Sequence, residues 1–176
     1  MSLALPPRLR HNAGPMKPPP ASRPHMPGYG ISPEPEGMLS WEWASEHLAR
    51  AENYWLSTTR PDGRPHCMPV WGVWVDNRFY FSTGPGSRKA RNLAANTYCV
   101  IGAEPAKEAV IVEGAAAPVE SREELLRVAA AYQQKYNEDI LAHIDAGEGP
   151  LYRVTPRVVF AFTYGLPRSA TRWVFA

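Results

Sequence analysis

Phe79-Tyr80-Phe81-Ser82-Thr83-Gly84-Pro85-Gly86-Ser87-Arg88-Lys89-Ala90-Arg91-Asn92-Leu93 decides how this chain is read. An apolar, aromatic run enters a glycine-proline turn, and the turn opens a helix. The helix begins with a hydroxyl and two cations. A helix N-terminus carries unpaired backbone N–H groups and the positive end of the helix dipole. Ser87 adds a hydroxyl there, and Arg88 and Lys89 add full charge, Arg88 in a planar fork that suits phosphate. Such an end can hold an anion. The plain alternative is a solvated basic helix start after an ordinary turn, and helix chemistry alone leaves both open.

Working outward, the pattern alternates between strand and turn. Upstream, Tyr54–Thr59 reads as a strand, and Arg60-Pro61-Asp62-Gly63-Arg64 as a turn. Pro65 to Val75 reads as one long strand, with Pro69 and Gly72 inside it. Proline and glycine within a strand mark an edge, a bulge or close approach of a ligand. Asp76-Asn77 is a two-residue hairpin turn, and Arg78–Thr83 the return strand. Downstream, Tyr98–Glu104 and Ala109–Pro118 are two more strands joined around Pro105. Arg157–Tyr164 and Thr171–Phe175 close the series.

Helices are few. Ser40 caps a helix over Trp41–Glu52, with Trp41, Ala44, Leu48 and Ala51 at helical spacing. Residues 87–95 form the short basic helix. Ser121 and Glu124 have capping-box spacing and begin a helical stretch that reaches Ile144 with a break near Asn137. Hairpin-linked strands with few helices predict a mainly β fold, a small antiparallel barrel with helices packed outside. Residues 1–37 stand apart. They hold 10 of the 19 prolines and little apolar periodicity, so an extended or disordered arm is expected there, with the folded domain over 38–176.

Bulk composition narrows the function classes. A net charge of +2 with scattered cations gives no case for a nucleic-acid partner. No apolar run approaches the length of a membrane span, and no secretory signal is evident, so a cytoplasmic protein is expected. Cys67 and Cys99 make neither a disulfide framework nor a metal motif and read as reduced small hydrophobes. None of the histidines, His11, His25, His47, His66 and His143, pairs at metal-ligand spacing. His66 reads as a half-exposed strand histidine, and Glu123 and Glu124 as charges favourable to a helix start. Trp41, Trp43, Trp55 and Trp74 read as core or contact residues, with Trp71 set apart by its place in the long strand.

The order of strand, Pro-Asp-Gly turn, long strand, Asp-Asn hairpin, aromatic strand and Gly86-Ser87-Arg88-Lys89-Ala90 helix resembles the flavin-binding split β-barrel superfamily. That superfamily includes pyridoxamine 5′-phosphate oxidase and a large actinobacterial group of flavin and deazaflavin (F420) reductases. The resemblance covers residues 40–176, and the ending Ala170-Thr171-Arg172-Trp173-Val174-Phe175 is similar to the F420-type branch. It implies a split antiparallel barrel, a homodimer, bound F420 or FMN, and an oxidoreductase acting on a small-molecule substrate at the dimer interface. By position it assigns Ser87, Arg88 and Lys89 to the cofactor phosphate, and Ser82 and Thr83 to the phosphate or sugar-alcohol chain. Met68, Pro69, Val70, Trp71 and Gly72 would lie against the ring, largely through backbone groups. Arg172 and Trp173 would reach the partner subunit's cofactor.

The chain also departs from the oxidase pattern. Cys67 and Gly72 stand where the oxidase carries an Arg and a Lys on the long strand, and the oxidase's C-terminal Arg and His pair is missing. Oxidation of pyridoxamine phosphate is therefore not expected, and the cleft is expected to be open to a larger cofactor tail. Two further readings stay open: a non-catalytic FMN or F420 carrier, and a haem-binding or haem-degrading split barrel with His66 as a candidate axial ligand.

Overall fold

The computed structural model describes residues 16–176. Eight strands form one antiparallel sheet in the order β2-β1-β5-β6-β7-β4-β3, with β8 also paired to β7. They are β1 (Tyr54–Thr59), β2 (Pro65–Val70), β3 (Val73–Val75), β4 (Arg78–Ser82), β5 (Tyr98–Ala103), β6 (Ala109–Pro118), β7 (Leu151–Phe162) and β8 (Thr171–Val174). The helices are α1 (Trp41–Arg50), α2 (Arg88–Ala95), α3 (Arg122–Tyr136), α4 (Ile140–Asp145) and the short α5 (Leu166–Ser169). The fold is a mainly β, antiparallel split barrel with flanking helices, as the strand pattern predicts.

The long strands β6 and β7 carry the architecture. β6 pairs along β7 from Ala109↔Phe162 to Pro118↔Tyr152. The first part of β7 then takes β4 on its other edge, and the last part takes β8. The sequence reading starts this strand at Arg157; it starts at Leu151. Pro156 and the paired bulge at Glu113/Gly114 interrupt the apolar pattern there, which hid its first half.

Strand alternation divides the sheet into two faces. One cross-sheet row runs Leu56, Ile101, Val112, Val159, Trp173, all essentially buried in the main core under α1. The row on the opposite face runs Pro69, Trp55, Gly102, Ile111, Phe160, Arg172. A second cluster, with Val73, Tyr80, Val128, Tyr132, Ile140 and Leu151, packs α3 and α4 against β3 and β4.

Caps and turns follow the sequence closely. Ser40 accepts from Trp43 N–H, Ser87 from Ala90 N–H, and Ser121 from Glu124 N–H. Asp76 and Asn77 both have positive φ, as a type I′ hairpin requires. Glu124 departs from expectation. It does not act as a solvent-facing helix-start charge. Its carboxylate is buried and takes Arg153 and the Tyr80 hydroxyl.

The arm expectation for 1–37 falls partly on residues 1–15, which lie outside the described residues. Residues 16–37 form no helix; they run irregularly with turns at 27–30 and 36–37 and make one bridge, Ser22 to Arg172 on β8. The Arg23 guanidinium donates to the carbonyls of Glu34, Glu36, Arg168 and Ala170 at 2.6–3.0 Å, tying this segment to the α5–β8 loop.

Candidate functional site

The expected continuous strand over 65–75 is broken at Trp71-Gly72, between β2 and β3. The break has a steric cause. A Cβ on Gly72 would lie 2.2 Å from the Phe79 ring and 2.7 Å from the Tyr80 carbonyl. Only glycine fits this close backbone approach. The Trp71 side chain turns outward, 52% exposed, and stacks on Tyr136 with ring centroids 5.0 Å apart and planes at 7°.

A cleft of about 290 Å³ opens beside this break. Pro69, Val70, Trp71, Ser82, Lys89, Tyr132 and Ile140 line it. Five of the residues assigned from sequence therefore meet in one place, although they come from β2, β4 and α2. Tyr132 and Ile140 were not anticipated; they read as ordinary apolar positions of a helical stretch. The wall is aromatic and aliphatic, and no carboxylate lines it. This is the lining a flat, mostly apolar ring requires.

The cation cluster sits at the start of α2. Arg88 is exposed and Lys89 half-buried, and among the described residues neither side chain makes a hydrogen bond or ion pair, although the Asp62 carboxylate lies within the field of Arg60 and Arg88. His66 on β2 feels Arg60, Lys89 and Arg88 together. Desolvation first, and then these three cations, hold its imidazole below the usual histidine range. Arg60, at the end of β1, joins the cluster, and sequence reading placed it only in a turn. Its Nε is buried and has no hydrogen-bond partner among the described residues. A buried guanidinium donor without a partner, beside other cations, has the chemistry to pair with an anionic oxygen. Arg64, close in sequence, is already paired with Asp62 at 2.7 Å.

The hydroxyls differ in what they can still do. Ser82 donates to the Pro150 carbonyl at 3.1 Å, and Thr83 donates to Ser87 Oγ at 3.1 Å. Ser87 Oγ accepts from Thr83 and from Ala90 N–H, so its own hydrogen is left for a ligand. Ser87 is thus the free donor of the three. Thr83 supports it, and Ser82 and Thr83 retain only acceptor capacity.

The structure also redistributes the other assigned residues. Met68 is exposed on β2 outside the cleft lining. Gly72 is buried, and its N–H is taken by the Tyr136 hydroxyl at 3.1 Å, so it offers no backbone donor to a ring. No side chain is lost from an open space at Gly72. Instead Lys135 of α3 brings its ammonium 2.9 Å from the Gly72 carbonyl and 2.7 Å from the Tyr54 hydroxyl. Desolvation lowers the Lys135 ammonium to about 8.

Trp173 is a correction. Its ring is 1% exposed and packs edge-on against Trp41 at 5.3 Å. Alternation puts neighbouring residues on opposite faces, and here Trp173 enters the core while Arg172 stays in the outer row. Arg172 lies in the outer row with Trp55 and Phe160, its Nε 3.3 Å from Ser22 Oγ. Cys67 is exposed, Cys99 is buried, and both are free. Among the described residues no cluster could hold a metal, and no helix is long and apolar enough to cross a membrane.

Residues that could hold a phosphate-bearing ring cofactor are therefore Arg60, Ser87, Arg88 and Lys89 for the anion, and Pro69, Val70, Trp71 and Tyr132 for the ring. The orphaned Arg60 Nε and the acid-free cleft fit such a group.

Comparison with known proteins places this geometry. No curated protein matches the chain. Among solved structures, a conserved hypothetical protein from Mycobacterium tuberculosis superposes with a TM-score of 0.63 at 23% identity, over 72% of this chain and 86% of that one. A haem-binding protein from Mycobacterium smegmatis has a TM-score of 0.60 at 19% identity, over 72% of this chain and 57% of that one. A structure named F420 reductase has a TM-score of 0.50 at 21% identity, over 65% of this chain and 94% of that one. At these identities the likeness concerns the fold. The family model for pyridoxamine 5′-phosphate oxidase matches residues 42–163, from α1 to the end of β7, and the chain belongs to that family.

Proposed function

We propose that the chain is an F420- or FMN-dependent oxidoreductase that acts as a homodimer on a small organic substrate. The observation that carries this reading is the junction of an apolar, acid-free cleft with a cluster of unengaged cations. Pro69, Val70, Trp71, Ser82 and Lys89 line the cleft, and Arg60 offers a buried donor with no partner. A ring fits the first feature and a phosphate the second. When bound, the cofactor supplies hydride chemistry, and the protein supplies binding, orientation and electrostatics.

The residues divide this work. Arg60, Ser87, Arg88, Lys89 and the N–H groups of the first α2 turn hold the anion. Pro69, Val70, Trp71 and Tyr132 exclude water from one side of the ring. No side-chain acid in the cleft lining is placed to deliver a proton, so solvent does so. The outer row Trp55, Ile111, Phe160 and Arg172 is the face proposed for the second copy. Trp55 is exposed there and Ile111 and Phe160 are half-buried, and in a dimer formed on this face Arg172 would reach toward the partner's cleft.

Reconstitution followed by turnover tests the reading. The chain loaded with reduced F420, or with reduced FMN, should oxidise it faster in the presence of an electrophilic acceptor. Tight binding with no acceptor-dependent oxidation across quinones, enones and nitro compounds would reduce the reading to a carrier.

A haem-binding role is a second reading. His66 is half-exposed beside the cation cluster and held below the usual histidine range, so at neutral pH it is unprotonated and able to ligate. A Soret band on haem addition, lost in His66→Ala, supports it; no Soret band removes it.

A further inference from the structure

We infer that the last turn of α3 is a positioning clamp: Tyr132, Lys135 and Tyr136 hold the Trp71-Gly72 backbone and so set the Trp71 indole at the cleft mouth. The inference rests on the oxidoreductase reading for the identity of the ligand, not for the clamp itself.

The argument begins with hydrogen bonds. Interrupting a strand frees backbone polar groups, and these need partners. At this break the partners come from α3. The Gly72 N–H donates to the Tyr136 hydroxyl at 3.1 Å, Lys135 Nζ donates to the Gly72 carbonyl at 2.9 Å, and the Tyr132 hydroxyl shares its one hydrogen between the Trp71 carbonyl at 3.4 Å and the Tyr80 carbonyl at 3.3 Å. The carbonyls of Glu52 and Gly72 both lie within reach of the Tyr136 hydroxyl, at 2.7 and 2.9 Å. That hydroxyl has one hydrogen. Lys135 already serves Gly72, so Tyr136 donates to Glu52 and thereby bridges the loop after α1 to the break. The Tyr136 ring then backs the Trp71 indole in parallel.

Lys135 is a poor choice for stability alone. Its ammonium is half-buried against the Tyr54 hydroxyl and the Tyr54 and Tyr136 rings, 4.7 and 5.1 Å from their centroids. Among the described residues no carboxylate bonds to it, and Glu52 acts on it only through its charge. An apolar side chain would fill this space without desolvating a charge. What the ammonium provides is a fixed direction for the Gly72 carbonyl. Tyr132 also lines the cleft, so the same helix turn supplies both a wall and the clamp.

The test uses the full chain and compares Trp71 in three versions: unaltered, Tyr136→Phe and Lys135→Met. Tyr136→Phe keeps the ring and loses the bridge, and Lys135→Gln stands in should Lys135→Met fail to fold. Acrylamide quenching is measured without ligand, and the Trp71 part is isolated by subtracting a Trp71→Phe version of each. The clamp predicts greater quenching of Trp71 in folded Tyr136→Phe and Lys135→Met, with partial recovery in Lys135→Arg. Affinity of Tyr136→Phe for FMN or F420 should fall about three- to tenfold, the loss expected for one neutral hydrogen bond. Unchanged Trp71 quenching in the folded variants overturns the clamp, even if affinity falls. Should the unaltered chain bind neither cofactor, the oxidoreductase reading fails while the quenching still decides the clamp.

Discussion

One guanidinium nitrogen of Arg153 lies 3.0 and 2.8 Å from the two carboxylate oxygens of Glu124, and both side chains are buried. The Tyr80 hydroxyl donates to the same carboxylate at 2.8 Å. This network joins the first turn of α3 to β7 and β4, and α3 carries one wall of the cleft. Removing one partner of a buried pair leaves an uncompensated charge. Arg153→Met should therefore cost about 3–5 kcal/mol, and Arg153→Met with Glu124→Leu should recover most of it. Urea unfolding of the parent and the two variants measures both values. A single variant as stable as the parent would contradict this account of the network.

Gly72→Ala drives a methyl group into the Phe79 ring, where 2.2 Å is available. The expected cost is about 1–3 kcal/mol from overpacking, together with weaker ligand binding as the break shifts. Gly86→Ala is the control, because a Cβ there meets nothing within 4 Å. Thermal melting of the two variants should separate them clearly. Equal stability would mean that the Gly72 backbone can move away from Phe79 at little expense.

Arg60→Ala and Lys89→Ala should each weaken binding of a phosphate-bearing cofactor by about 1–3 kcal/mol, the loss of a charge-assisted hydrogen bond. The effect should shrink as salt rises. Arg64→Ala combined with Asp62→Asn should leave affinity unchanged, since the two side chains form a pair and their joint removal frees no carboxylate beside Arg60 and Arg88. Fluorescence titration at two salt concentrations checks all three. Equal effects from Arg60→Ala and the paired substitution would contradict the assignment of Arg60 to the anion.

His66 reports on the same cluster. Desolvation and the cations Arg60, Lys89 and Arg88 lower its folded-state value. The unfolded chain then binds more protons through the histidine range. The contribution of this group to stability is present above the ordinary histidine pKa and lost as pH falls through that range. An anion bound at the α2 start neutralises the cations and should raise the His66 value. NMR titration of its ring proton, with and without a phosphate-bearing cofactor, reads this directly. A resonance whose midpoint stays fixed on binding would place the anion elsewhere.

Local signals made much of the fold legible. The caps Ser40, Ser87 and Ser121, the Asp76-Asn77 turn and the strand alternation each depend on residues close in sequence, and each leads to an observed element. Other features depend on contacts distant in sequence. Gly72 reads as a weak strand position until Phe79 packs over it. Glu124 reads as an N-terminal charge until Arg153 arrives from β7. Arg60 looks like turn polarity until its Nε is buried near α2. Trp173 and Arg172 look like a matched pair, but alternation sends one to the core and the other outward. Of the cleft lining, Ser82 and Lys89 lie in the strand-turn-helix motif, whereas Pro69, Val70 and Trp71 come only from the family resemblance. The α3 and α4 residues were not legible, because Tyr132 and Ile140 look like any buried helical positions.

The central claim is that the cleft and the cation cluster form one site for a phosphate-bearing ring cofactor. Titrating the ligand-free chain with F420 and, separately, with FMN, while following tryptophan fluorescence, tests it most directly. The account predicts saturable quenching by at least one of them with a dissociation constant in the micromolar range or below, reduced in Trp71→Phe and weakened in Lys89→Ala. Binding of neither, or binding indifferent to both substitutions, would contradict it.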